Sequence, residues 1–184
     1  MKVTICVASA FTLSLAAAPA LRAQTASENQ VERGKYLVGI TGCHDCHSPK
    51  LEGMKPDPAR ILSGRPQTTK VPSSAPGEVH ASEDLTAWTG AWGQTVASNL
   101  TPDPATGIGM RYTEAKFVAT MRTGKKPEGV AVMPPMPVDV YVNMKDDDLK
   151  AIYAYLKTIT PIRNAVRAGL PPPPPAAAPA PAKK

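Results

Sequence analysis

Aromatic residues, cysteines and long apolar segments are all scarce in this chain of 184 residues. Two Trp, five Tyr and two Phe make up only 5% of the sequence, so few large rings are available to fill a core. The hydrophobic fraction of 42% and the charged fraction of 20% exclude wholesale disorder and a polytopic membrane protein. The length predicts one modest domain, and another large apolar group is expected at its centre.

The chain also lacks a dense block of basic residues with interleaved aromatics. Its 21 Lys and Arg exceed its 15 Asp and Glu, for a net charge of +6, but they are spread along the sequence. A nucleic acid is therefore not an expected partner.

Residues 1–23 have the layout of a secretory signal peptide. A lysine is followed by an apolar run and by small residues before the expected cleavage after Ala23 or, as a second choice, after Ala20. The alternative is an uncleaved membrane anchor, although the apolar run is near the short end for a span. Cleavage removes Cys6 and leaves no other segment of transmembrane length, so we expect an exported protein without a membrane span.

The remaining chain divides by composition into three parts. Residues 24–30 are polar and are expected to form a flexible leader, and residues 31–167 are expected to form the folded domain. Within it, residues 48–98 are rich in Pro, Gly, Ser and Thr without a clear period, which predicts a long, partly ordered loop insertion. Residues 168–184 are rich in Pro and Ala and are expected to form an extended tail.

Three segments carry helical signals. Residues 31–42 favour a short helix, and Thr113 to Gly124 begins with a capping residue and ends with glycine. Three acids after Lys145 are followed by apolar residues at helical spacing up to Pro161, which predicts the clearest amphipathic helix of the chain. The fold class predicted is all-α, with about three to four helices and long loops.

Residues 43–47 read Cys-His-Asp-Cys-His, so Cys43, Cys46 and His47 satisfy the C-x-x-C-H pattern of covalent c-type haem attachment. Two thiols three residues apart can each form a thioether with one of two vinyl groups on the same porphyrin edge. The adjacent histidine can then give its imidazole nitrogen to the iron. The motif therefore predicts one covalently attached haem c, with Cys43, Cys46 and His47 as cofactor-binding residues.

Two other chemistries use the same cysteines. A disulfide or a thiol redox pair explains both thiols but not His47, and the surroundings lack the strand-helix-strand pattern of a thioredoxin. A tetrahedral zinc site needs four ligands, and the only further histidines are His44 and His80. Both alternatives are disfavoured.

A metal-bound histidine also needs a hydrogen-bond acceptor for its other ring nitrogen. Pro49 lies two residues after His47, and a carbonyl of this Ser-Pro turn is one candidate acceptor. Alternatively, Pro49 only ends the helix, and the sequence does not separate these two roles.

The sixth iron ligand decides between electron transfer and small-molecule chemistry. Met54 and Met110 lie among flexible, glycine-flanked residues, and Met121 falls on an apolar helix face. In the segment AVMPPMPVDVY, prolines restrict the backbone around Met133 and Met136, so this strap can hold a sulfur with little entropy left to lose. The spacing does not choose between the two, and both can also be surface residues.

The sequence resembles the monohaem class I c-type cytochromes of bacterial periplasms, most of all those that accompany dehydrogenases. The matching stretches are RGKYLVGITGCHDCHSPK, NLTPDPATGIG, TEAKFVATMRTG, MPPMP and DDDLKAIYAYLKTITPI. The resemblance implies a cytochrome c fold around one haem, with His47 and Met136 as the iron ligands. It also implies that the first helix packs on the last, with Gly34 and Tyr36 near Tyr153 and Leu156.

The same resemblance implies a periplasmic electron carrier and not an enzyme, unless it is the cytochrome subunit of an oxidoreductase complex. It would accept electrons from a periplasmic or membrane dehydrogenase and pass them to a cytochrome or oxidase of the respiratory chain. The alternative is a haem enzyme or gas sensor with an open sixth iron position. Trp88, Trp92 and Asn99 are expected either beside the haem or in the plain core.

Overall fold

The computed structural model describes residues 17–75 and 77–170, which form five α-helices and a small sheet. Side chains are described from residue 27 onward. The helices are α1 (Ala17–Ile40), α2 (Cys43–His47), α3 (Glu114–Thr123), α4 (Val138–Tyr141) and α5 (Asp146–Leu156). The strands are β1 (His80–Ala81), β2 (Ala87–Gly90) and β3 (Gly93–Val96), and two short 3₁₀ turns lie at Glu52–Met54 and Pro58–Arg60.

The core lies where α1 crosses α5 and α3 packs beside them. Gly34 allows the close approach of the two helices, because a Cβ there would lie 1.9 Å from the carbonyl oxygen of Ala151. The expected packing of the first helix on the last is therefore present at Gly34, whereas Tyr36 is 56% exposed. The buried core residues are Leu37, Val38, Leu62, Ile108, Phe117, Ala151, Ile152 and Leu156.

Helix α1 is longer than the sequence predicts. Residues 24–30, expected to be a flexible leader, are helical and continuous with the predicted helix from residue 31. Alanine, glutamine and glutamate favour helix, and no proline or glycine interrupts the chain between Ala20 and Gly34. Residues 1–16 of the predicted signal peptide lie outside the described residues, and its cleavage stays a prediction.

Helices α3 and α5 agree with the sequence except at their ends. The Thr113 side chain caps α3 by accepting a hydrogen bond from the amide of Lys116, and Gly124 closes the helix in the left-handed conformation. Lys145 occupies the N-cap of α5 without a side-chain cap. Three acidic residues in the first turn of α5 compensate through the helix dipole, and the helix ends at Leu156, before the predicted stop at Pro161.

The loop insertion 48–98 contains the sheet, so the all-α prediction was too simple. Strands β1, β2 and β3 are antiparallel in sequence order, and β2 and β3 form a hairpin in which Gly90 pairs with Gly93. Trp88, Thr89, Thr95 and Val96 are residues that favour strands. The strands are too short, at two to four residues, to leave a clear alternating period in the sequence.

The chain after α5 returns to the sheet. The buried Asn164 side chain donates hydrogen bonds to the carbonyls of Ser63 at 2.8 Å and Arg65 at 2.9 Å. Further on, the amide of Gln94 donates to the carbonyl of Leu170 at 2.8 Å. Residues 168–170 thus pack on the domain, and residues 171–184 of the predicted tail lie outside the described residues. Among the helices that are described, none is long and apolar enough to cross a membrane.

Candidate functional site

Helix α2 presents the predicted attachment motif to a large cavity. Cys43, Cys46 and His47 all line this cavity, and both cysteines are free thiols. Gly42 precedes the helix in the left-handed conformation, with φ of 75°, which lets α2 start directly after α1. The three residues that the motif singles out are therefore brought to one wall of one cavity.

The His47 ring is held by a backbone carbonyl far away in the sequence. Its Nδ1 atom lies 2.7 Å from the carbonyl oxygen of Ser98. Because a carbonyl can only accept, Nδ1 carries the proton and Nε2 keeps its lone pair for a metal. Burial lowers the pKa of His47, although the Ser98 hydrogen bond acts in the opposite direction, so the ring is neutral. A neutral, oriented imidazole is the form that binds iron.

The acceptor for His47 lies in the segment that follows β3 and not in the Ser-Pro turn at Pro49. The Pro49 carbonyl accepts instead from the amide of Asp57 at 2.8 Å. Ser98 is brought to His47 because the amide of Gly64 donates to the His47 carbonyl at 2.8 Å and that of Arg65 donates to the carbonyl of Ala97 at 3.0 Å. The insertion thus wraps around the histidine side of the cavity.

The two thiols are not activated nucleophiles. Burial raises the pKa of Cys43, and burial followed by the negative charge of Asp45 raises the pKa of Cys46. Reactive cysteines have the opposite shift, because the thiolate is the attacking species. The environment therefore disfavours a thiol oxidoreductase, in agreement with the sequence.

The cavity is mostly apolar and is shared with the core. Its empty volume is about 1660 Å³, including the part that is open to solvent. Core residues that also line it are Ile108, Phe117, Ile152 and Leu156. Among the described residues, two cationic side chains and no carboxylate line the cavity, the cations being Arg111 and Lys126. Burial lowers the pKa of Lys126, and the neighbouring Arg111 acts in the same direction.

A methionine-bearing strap forms a further wall. Met133 and Met136 both line the cavity, and the amide of Met136 donates to the Met133 carbonyl at 3.3 Å. The Met136 carbonyl in turn accepts from the amide of Val138 at 2.9 Å, where α4 begins. The segment is thus a tight turn that leads into a helix and not a regular polyproline strand.

Three other methionines differ in how exposed they are and in whether they line the cavity. Met54 and Met110 are 52% and 81% exposed and do not line the cavity. Met121, expected in the core, packs against the core and also lines the cavity. Three sulfur atoms, those of Met121, Met133 and Met136, therefore belong to residues that line the cavity.

The two tryptophans and Asn99 have different roles. Trp88 lines the cavity, whereas Trp92 packs on Gly90 and donates from Nε1 to the Thr95 hydroxyl at 3.0 Å. Asn99 lines the cavity with part of its surface, but its side chain accepts from Thr101 and donates to the carbonyl of Ile162. Trp88 is therefore a cavity residue, Trp92 a packing residue, and Asn99 mainly a bridge between two loops.

These features fit a haem better than a bare metal ion. Two adjacent thiols, an imidazole with a free nitrogen and cavity-lining methionines suit a covalently attached iron porphyrin. The apolar lining suits the ring, and two cations without a carboxylate suit the propionates. Within the part of the chain that the structure describes, no cluster of three His, Cys, Asp or Glu residues offers a conventional metal site.

The chain is similar to subunits of several dehydrogenases. It is 40% identical over 142 residues to a subunit of the nicotinate dehydrogenase of Pseudomonas putida, covering 77% of this chain and 10% of that protein. It is 32% identical over 155 residues to the gluconate 2-dehydrogenase cytochrome c subunit of Pantoea cypripedii, with coverage of 84% and 28%. For the cytochrome c subunit of the quinone-type alcohol dehydrogenase of Gluconobacter oxydans, the identity is 29% over 136 residues, with coverage of 74% and 23%.

These relatives are all much longer than the matched region, since this chain spans 28% or less of each. Residues 31–160 match the family model of cytochrome c. This match includes the attachment motif, the segment around Ser98 that holds His47, the strap and the helices that surround the cavity. The chain therefore belongs to the cytochrome c family, whose members transfer electrons through covalently bound haem c.

Proposed function

We propose that this protein is a periplasmic one-electron carrier whose haem iron is held by His47 and Met136. Bound haem c supplies the redox chemistry, since its iron takes up and releases one electron at a time. The observation that carries the proposal is the pairing of an oriented His47 ring with a methionine strap on the same cavity.

Each wall has a separate task. Cys43 and Cys46 would anchor the haem by two thioether bonds. His47 would give its Nε2 to the iron, because Nδ1 donates to the Ser98 carbonyl and so orients the ring. The apolar core residues exclude water, which limits reorganisation when the charge changes.

Met136 is a better ligand candidate than Met133 because it is tied to the attachment motif. Its carbonyl accepts the amide of Val138 at the start of α4, and Tyr141 at the end of α4 donates to the Thr41 carbonyl at 2.6 Å. Thr41 lies two residues before Cys43. Met136 is also the methionine of the Pro-Met-Pro strap that resembles the ligand strap of class I cytochromes.

The partner that we propose as electron donor is a dehydrogenase in the periplasm or membrane. Three relatives are dehydrogenase subunits by name, and this chain matches a limited part of each. The acceptor would be a cytochrome or an oxidase. A cleaved signal peptide at residues 1–23 would deliver the chain to the compartment in which haem is attached.

The test replaces each strap methionine by alanine in the haem-loaded protein. Met136→Ala should abolish the methionine–iron charge-transfer absorption. It should also lower the equilibrium constant for reduction at least tenfold, which lowers the reduction potential by about 59 mV or more for one electron. Met133→Ala is the matched control, because it removes the same side chain from the same turn. It should leave the absorption in place.

Other outcomes overturn the ligand assignment. If Met133→Ala alone removes the absorption, Met133 is the ligand. If neither variant changes the spectrum or the potential, the sixth position is open or held by another group, and a ligand-binding haem protein is the better description.

A further inference from the structure

The ammonium group of Lys50 caps the C-terminal end of helix α2, which carries the attachment motif. Its Nζ atom donates to three backbone carbonyls, those of His44 at 2.5 Å, Asp45 at 3.1 Å and Ser48 at 2.7 Å. These carbonyls belong to α2 and to the residue that follows it, so they flank His47 on both sides in the sequence. All three protons of the group are used, which is possible only in the charged form.

The backbone around Lys50 is also fixed. Lys50 forms a β-bridge with Pro56, and the amide of Leu51 donates to the Lys55 carbonyl at 2.9 Å. The side chain is half-buried, and burial lowers its pKa while the carboxylate of Asp45 acts against that shift. The ammonium group is therefore held in one place by neutral acceptors.

The charge of Lys50 is not cancelled by an ion pair. Among the described residues, no carboxylate lies within ion-pair distance of its Nζ atom. The positive charge lies close to His47 in the chain, since Nζ contacts the carbonyls of Asp45 and Ser48 on either side of it. A helix C-terminus favours a cation, so the position is also stable.

We propose that Lys50 sets the reduction potential of the protein by holding an unpaired positive charge at the end of the helix that carries His47. This inference rests on the proposed function, in which His47 binds the iron. When one electron converts ferric to ferrous iron, the site loses one positive charge. A fixed cation nearby disfavours the ferric form more than the ferrous form, so it raises the potential.

Two roles of Lys50 must be separated. As a positioning residue it caps the carbonyls of α2, and as a charge it acts on the iron through space. Lys50→Arg keeps a cation that can donate to several carbonyls, whereas Lys50→Met keeps the apolar stem and removes the charge. Lys55→Met is the matched control, because Lys55 is exposed and lies only five residues away.

The experiment measures the midpoint potential and the absorption spectrum of the haem-loaded wild type and of these three variants. In Lys50→Met the equilibrium constant for reduction of the iron should fall about three- to tenfold. This corresponds to a potential lower by up to about 59 mV for one electron. In Lys50→Arg and in Lys55→Met this equilibrium constant should stay within a factor of about two of the wild-type value. The iron-ligand absorption bands should be the same in all four proteins.

Three results would overturn the inference. An unchanged potential in Lys50→Met removes any role for the charge. An equal fall in Lys50→Met and Lys55→Met assigns the effect to net charge alone. A fall in Lys50→Arg as large as in Lys50→Met, or altered ligand bands, assigns it to displacement of α2.

Failure of the proposed function looks different. If the wild type carries no covalent haem or lacks the spectrum of a histidine- and methionine-bound iron, the proposed function fails before any variant is compared. If the wild-type spectrum is as proposed and only the variant potentials disagree, the role of Lys50 alone is wrong.

Discussion

The two walls that bear the proposed iron ligands are built in opposite ways. The histidine wall joins α2 to residues 62–65 and 97–100, and its hydrogen bonds span up to 51 residues of sequence. Ser48 is fully buried there, and its hydroxyl accepts from the amide of Leu62 at 2.9 Å. This wall is part of the core.

The methionine wall is local and more exposed. Its backbone hydrogen bonds run between near neighbours, such as the amide of Val132 to the Gly124 carbonyl at 2.7 Å. Val130 is 59% exposed, and the three prolines of the strap lie at the surface. The difference indicates that the protein fixes His47 by long-range hydrogen bonds within the core, and the methionine by a stiff local turn that is linked to α2 through the Tyr141–Thr41 bond.

The largest expected effect is the loss of cooperative folded structure around the cavity when the haem is missing. In Cys43→Ala/Cys46→Ala the denaturing-gel haem stain should disappear, and the haem-free chain should melt without a cooperative transition. The reason is that core residues such as Phe117 and Leu156 also line the cavity and would face water. Circular dichroism during heating measures this, and a sharp native-like transition of the haem-free chain would contradict it.

A smaller effect is expected from removing one asparagine side chain behind the histidine wall. Asn164→Ala leaves the buried carbonyls of Ser63 and Arg65 without their donor and should lower the free energy of unfolding by about 3 kcal/mol. Asn143→Ala, beside the strap, removes an exposed hydrogen bond to the carbonyl of Asp139 and should change it by less than about 0.5 kcal/mol.

Denaturant unfolding of the two haem-loaded asparagine variants gives both values. Equal losses would show that the walls do not differ in the way described. A larger loss at Asn143 would reverse the comparison.

A smaller loss than that at Asn164 is expected when the bond that links the two walls is removed. Tyr141→Phe removes only the hydroxyl that donates to the Thr41 carbonyl at 2.6 Å, so it should cost about 1 kcal/mol of the free energy of unfolding. It should also speed exchange of the methionine ligand for added imidazole. Stopped-flow absorption measures that exchange, and an unchanged rate would mean that α4 does not hold the strap.

The helical frame and the attachment residues were predictable from the sequence because their signals are local. The C-x-x-C-H motif, the Thr113 cap and the apolar spacing in α5 each lie within a few residues. The family match covers residues 31–160 and agrees with the cytochrome resemblance. The continuation of α1 through residues 24–30 was missed because a polar segment without breakers can be helix or coil.

The partner of His47 was not predictable. The acceptor is the backbone carbonyl of Ser98, and a carbonyl has no side-chain signature in the sequence. The strands that bring it near are only two to four residues long and are joined by turns, so they leave no clear period in the sequence. The role of Lys50 was not predictable either, because it donates to backbone carbonyls at the end of α2, and their positions are not visible in the sequence.

The most direct test of the central claim is a proton NMR spectrum of the ferrous, haem-loaded protein with its methionine methyl groups assigned. A methionine bound to the iron lies over the porphyrin ring, and the ring current shifts its methyl resonance far upfield. The account predicts that this resonance belongs to Met136. An upfield methyl that belongs to Met133 or Met121, or the absence of any such resonance, would contradict it.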